Sequence, residues 1–73
     1  MHQIDLIRKR LRLAGWHCRV EWPAGIGWAV ELTGPCDLPP VTGQTQTVAW
    51  ERALRTVEAL GVVVPLIEED AHP

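Results

Sequence analysis

The chain has 73 residues, a formal charge of -2, 47% apolar residues and 22% charged residues, a composition that fits one small globular domain and excludes wholesale disorder. A domain of this length buries only about 60% of the surface its unfolded chain exposes, which leaves little room for a deep catalytic cleft. No run reaches the roughly 18 apolar residues of a membrane span, and the acidic balance is the wrong sign for a dedicated nucleic-acid binder.

Residues 3–14 read as a helix. Ile4, Ile7, Leu11 and Ala14 recur at helical spacing, Leu6 and Leu13 widen the stripe, and Arg8, Lys9, Arg10 and Arg12 occupy mainly the other arc. Gly15 is placed to end it in a left-handed conformation. The period then changes to two. Trp16, Cys18, Val20 and Trp22 point one way, and His17, Arg19 and Glu21 the other. After the turn segment Pro23 to Gly27, alternation resumes with Trp28, Val30 and Leu32 against Ala29 and Glu31. A hairpin closed by that five-residue loop sets Trp22 against Trp28, Val20 against Val30 and Cys18 against Leu32. The same register places Arg19 opposite Glu31 on the other face.

Three prolines make residues 33–40 a loop, and residues 41–46 add a short third strand. Thr47 reads as the N-cap of a second helix over residues 48–60. Its apolar stripe is Trp50, Ala53, Leu54, Val57 and Leu60, and Glu51, Arg55 and Glu58 are spaced for pairing along its wet side. Gly61 ends it. Val62 to Val64 read as an edge strand or an extended segment packing back, because Pro65 forbids a central position. The expectation is therefore an α+β domain over residues 1–67, in α-β-β-β-α order, with both helices on one face of an antiparallel sheet of about three strands. Residues 68–73, with Glu68, Glu69 and Asp70, form an acidic tail.

The chemistry-bearing residues show few catalytic spacings. There is no serine, no Cys-x-x-Cys and no His-x-x-x-His, and His2, His17, Cys18, Cys36 and His72 do not form a ligand pattern. No catalytic, cofactor-binding or metal-binding residue is expected, and the chain does not read as an enzyme. The first residues lack the basic-then-apolar layout of a secretory signal, so the expected location is the cytoplasm, with Cys18 and Cys36 reduced. All four aromatic residues are Trp. Mostly they read as core, and Trp22 and Trp28, beside the turn, double as interface anchors. Two helices cover only one side of a sheet. The uncovered side, with His17, Arg19, Glu21 and Glu31 beside Trp22 and Trp28, is the candidate surface for another protein. The alternative is nucleic-acid binding through Arg8, Lys9, Arg10, Arg12 and Arg19.

The segment from Val41 to Ala53 resembles the HicB-type antitoxin domain, in which a hairpin and a proline-rich stretch precede Gly-x-Thr and an Ala-rich helix. Gly43, Thr45, Ala49, Glu51 and Ala53 match, with the hairpin at residues 22–32 and the prolines at Leu38-Pro39-Pro40. Val48 departs from the acidic residue usual there. The element order is also similar to the double-stranded RNA-binding fold, but Thr47, Val48 and Arg52 stand where that fold carries its RNA-contacting lysines. That departure argues against RNA binding even where the architecture is shared. Small size, acidic balance, the absence of catalytic spacing and an uncovered sheet face together point to a small αβββα domain that binds a protein partner, as an inhibitor, antitoxin-like or adaptor module of phage or mobile-element type. Self-association through a strand edge or helix face is the other form of contact expected. No membrane role is expected.

Overall fold

The structure, a computed structural model, describes residues 3–67. The acidic tail expected at 68–73, and His2, lie outside the described residues. The elements are α1 (Gln3–Leu13), β1 (His17–Ala24), β2 (Gly27–Thr33), β3 (Val41–Gly43) and α2 (Gln46–Ala59). They form an α+β domain with an antiparallel sheet in the order β1-β2-β3.

Ile4, Ile7 and Leu11 are the buried stripe of α1, with Asp5 in its first turn and Arg10 and Arg12 in its last, as the helix dipole favours. The helix stops as its glycine foretells. Gly15 has φ +92°, its N–H donates to Arg12 at 3.0 Å, and the Trp16 N–H donates to Leu11 at 2.9 Å. Both orphan carbonyls are thereby satisfied, and buried Trp16 enters the same core cluster as Leu11. The Trp16 ring lies so close to Gly34 that any side chain there would collide with its Cε3–Cζ3 edge.

α2 is capped two residues before the expected Thr47. Thr45, extended at φ -124°, accepts from the Val48 N–H at 3.1 Å through its hydroxyl, and the helix buries Ala49, Trp50, Ala53 and Val57. Both threonines can cap. The earlier start turns Gln46 toward the sheet, where its amide has a carboxylate partner. Gly43 lets the start of α2 sit directly on β3: an added Cβ would come within 2.5 Å of the Ala49 nitrogen.

The helices lie on one face of the sheet and run in the same direction, since Gln3 bonds Glu51 at 2.8 Å and Arg10 reaches Glu58 at 3.9 Å, about two turns farther along both. Glu51 and Glu58, expected to pair within α2, thus tie the two helices together. Between helices and sheet, Trp16, Val30, Leu32, Trp50 and Val57 complete the core, with Trp28 and Val41 packed against it. Residues 62–67 form no strand. They pack back as an extended segment, with Val64 buried and the Arg10 Nε donating to the Pro65 carbonyl at 2.9 Å.

Candidate functional site

The hairpin decides which residues face outward, and it differs from the alternation expected. Cys18 does pair with Leu32, but Arg19 has no partner, and from there the register moves by one. Val20 meets Glu31, Glu21 meets Val30, Trp22 meets Ala29 and Pro23 meets Trp28. One extra residue on one strand is a β-bulge, and it reverses every side chain beyond it. The tight connection is therefore the Gly25-Ile26 pair between Ala24 and Gly27, not a five-residue loop.

The assignments of Glu21, Val20 and Trp22 change in consequence. Glu21, expected on the open face, points to the helices. Its carboxylate accepts from the Trp50 Nε1–H at 3.0 Å, from the Gln46 amide at 3.0 Å and from the Arg8 guanidinium. Burial pushes this carboxyl up, but the hydrogen bonds from Gln46 and Trp50 and the Arg8 charge together outweigh it, and the net value is lowered from 4.5. The indole of Trp50 otherwise has no polar outlet in the core, so the glutamate serves the fold. Val20 and Trp22, expected in the core, instead share the open face with Ala29, Glu31 and Thr42. Val20 is 41% exposed and Trp22 half-buried. Trp28 keeps the side that the alternation gave it with Val30 and Leu32, partly buried against the core, and so is not beside Trp22 on the open face.

The open face therefore carries His17, Val20, Trp22, Glu31 and Thr33, with Arg19 in the bulge 3.8 Å from the Glu31 carboxylate. The Arg19 and Glu31 pair survives from the expected register, although they are no longer direct cross-strand neighbours. Of the proposed partner-binding set, His17, Arg19, Trp22 and Glu31 stay together on this face, and Glu21 and Trp28 leave it. Val20 joins it. No sequence signal marks the bulge, because Arg19 suits a regular wet-face position equally well.

The basic run is largely engaged within the molecule. Arg8 bonds Glu21 and stacks over the Trp50 ring, 5.0 Å from its centroid. Arg10 holds Pro65 and Glu58, and Arg19 lies against Glu31. Lys9 and Arg12 are exposed. Of the five cations expected to line a phosphate-contacting stripe, Arg8, Arg10 and Arg19 are thus each engaged elsewhere in the molecule.

Comparison with protein-family models, with curated proteins and with solved structures finds no match for this chain. The chemistry must be read from the side chains themselves. Cys18 and Cys36 are both exposed free thiols, so Cys18 is not the small core residue its alternation suggested. Desolvation at the sheet, with the Glu21 charge adding to it, pushes the Cys18 thiol up despite the neighbouring Arg8 charge. A raised thiol is a poor nucleophile at neutral pH. Among the described residues, no three of His, Cys, Asp and Glu gather as a metal site, and no helix is long and apolar enough to cross a membrane. What the surface offers is an apolar centre, Trp22 and Val20, bordered by an ion pair and a histidine.

Proposed function

We propose that this domain acts without catalysis, by binding another protein through its open sheet face, in an inhibitor, antitoxin-like or adaptor role. The observation that supports this reading is the outward turn of Trp22 and Val20. A bulged strand turns a half-buried indole and the exposed Val20 onto the one sheet face neither helix covers, with Arg19, Glu31 and His17 around them. An aromatic anchor inside a polar border is the arrangement in which a few residues carry most of a protein–protein affinity. The resemblance of residues 41–53 to the HicB-type antitoxin domain is consistent with a protein partner.

The test is capture from the native host with the tagged chain beside a Trp22→Glu variant of unchanged fold. A partner held by the parent and released by the variant is the expected result, with affinity falling at least tenfold, as for loss of a central aromatic anchor. Equal capture by both proteins, or repeated recovery of no protein, overturns the reading. Self-association is one form of it, and solution mass compared between the same two proteins distinguishes that case. The rival reading, nucleic-acid binding through α1, rests on Lys9 and Arg12 as the cations without an internal partner among the described residues. It requires salt-dependent retention that Arg12→Ala abolishes.

A further inference from the structure

At the C-terminal end of α1, where the chain turns into β1, a cleft of about 480 Å³ opens between Arg8, Arg12, Trp16, His17 and Cys18, with Leu32 and Trp50 at its base. Its polar lining is unusual. Two residues of its wall, Arg8 and Trp16, each carry a buried N–H donor, Nε and Nε1, with no acceptor in the protein. Trp16 as a whole is 1% exposed. Gly34 covers the Cε3–Cζ3 edge of that indole, and the nitrogen lies on the opposite edge of the ring. An unsatisfied buried donor is costly and uncommon in folded proteins, and here two belong to residues of one cavity wall. The remaining polar walls, Arg12 and His17, are exposed; both add donors, and Arg12 adds positive charge. No carboxylate lines it; Glu21, which bonds the Arg8 of its wall, also accepts from Trp50 and Gln46.

We infer that this cleft binds a small oxyanion, a carboxylate or phosphate group, with Arg12 and the Trp16 indole as its principal donors. A planar guanidinium meets either group through paired charge-assisted hydrogen bonds. The Trp16 N–H contributes a neutral donor that is fixed by core packing and loses no side-chain freedom on binding. The Arg8 guanidinium, already oriented by Glu21 and the Trp50 ring, adds charge from the floor. The volume admits a small dicarboxylate or a phosphorylated metabolite rather than a macromolecular segment. The site shares His17 with the protein-binding face but does not use Trp22 or Val20, so the Arg12 and Trp22 variants test the two separately.

The experiment is a titration of the 15N-labelled protein with inorganic phosphate and, separately, with succinate, at constant ionic strength and with chloride as control. The indole N–H signals and the alkylation rate of Cys18, on the cleft wall, are followed. Saturable movement of the Trp16 indole signal is expected, with slower alkylation of Cys18 at the same concentrations. Arg12→Gln should weaken binding about tenfold, as for one charge-assisted contact. Arg55→Gln, an exposed cation on α2, should leave it unchanged. Saturation by phosphate alone assigns a phosphate-bearing ligand, by succinate alone a carboxylate, and by both an oxyanion site that takes either. Shifts that stay linear and match chloride, or equal affinity in Arg12→Gln, overturn the inference. Arg12 is exposed at the rim, so its variant retains the fold on which the comparison depends.

Discussion

Glu21 shows how a single buried polar demand outweighs local pattern. By sequence it sits among wet-face residues, between Val20 and Trp22. In the fold it is the acceptor for an indole N–H that would otherwise be orphaned in the core, and for the Gln46 amide at the start of α2. Glu21→Gln keeps the shape but removes the charge that makes these contacts strong. Stability should fall by about 1–3 kcal/mol, read as a lower denaturant midpoint. The pH dependence has a definite sign. Because the folded carboxyl is held below 4.5, its contribution is fully present above the unfolded value and is lost as pH falls through the folded one. The parent should therefore lose stability through this acid range more steeply than Glu21→Gln does. Parallel slopes would show that the carboxylate is not the titrating tie. None of this is legible from residue 21 and its neighbours, since the donors come from α1 and α2.

At the scale of elements, the helices are the most legible parts. Their apolar periodicity and the glycines that follow them define α1 to within one residue of its end, and α2 except for its cap. The hairpin is legible as a hairpin, and its first pair, Cys18 with Leu32, stands as the alternation implies. Beyond Arg19 the phase is lost. A period-two pattern carries a side-chain direction only as far as the next bulge, and one extra residue inverts the rest. The bulge makes a further expectation concrete. Deleting Arg19 leaves Cys18, Val20, Glu21 and Trp22 in regular succession opposite Leu32, Glu31, Val30 and Ala29, with the same faces presented. The deletion should therefore fold, keep the Trp50 indole hydrogen-bonded, and change stability by no more than about 1 kcal/mol, because the lost ion pair is a surface one. Inserting a residue there should instead drive Glu21 outward and unfold the protein. A deletion that abolishes the Trp50 contact would mean that the bulge itself sets the register.

Across the whole molecule, the basic helix that reads as a surface stripe acts mainly as a clamp. Arg8 joins sheet to core, and Arg10 joins α1 to both α2 and the chain beyond it. Through the Pro65 carbonyl and Glu58 it keeps Val64 under cover. Arg10→Ala should loosen residues 62–67 while sparing the sheet: amide exchange at Val62 and Val64 should accelerate roughly tenfold, the effect of losing about 1.4 kcal/mol of local protection. Exchange that rises equally in β2 would instead make Arg10 a determinant of global stability.

Sequence alone determined the α+β class, the order of elements, the helix faces and the glycine stops, because each is set by residues within one or two turns of each other. The tertiary structure decided the rest: the start of α2, the outward face of Trp22, the inward face of Glu21 and the direction in which the cations are spent. These depend on partners far apart in the chain, as Glu21 and Trp50 are, and the satisfaction of buried donors and acceptors is settled only when those partners meet.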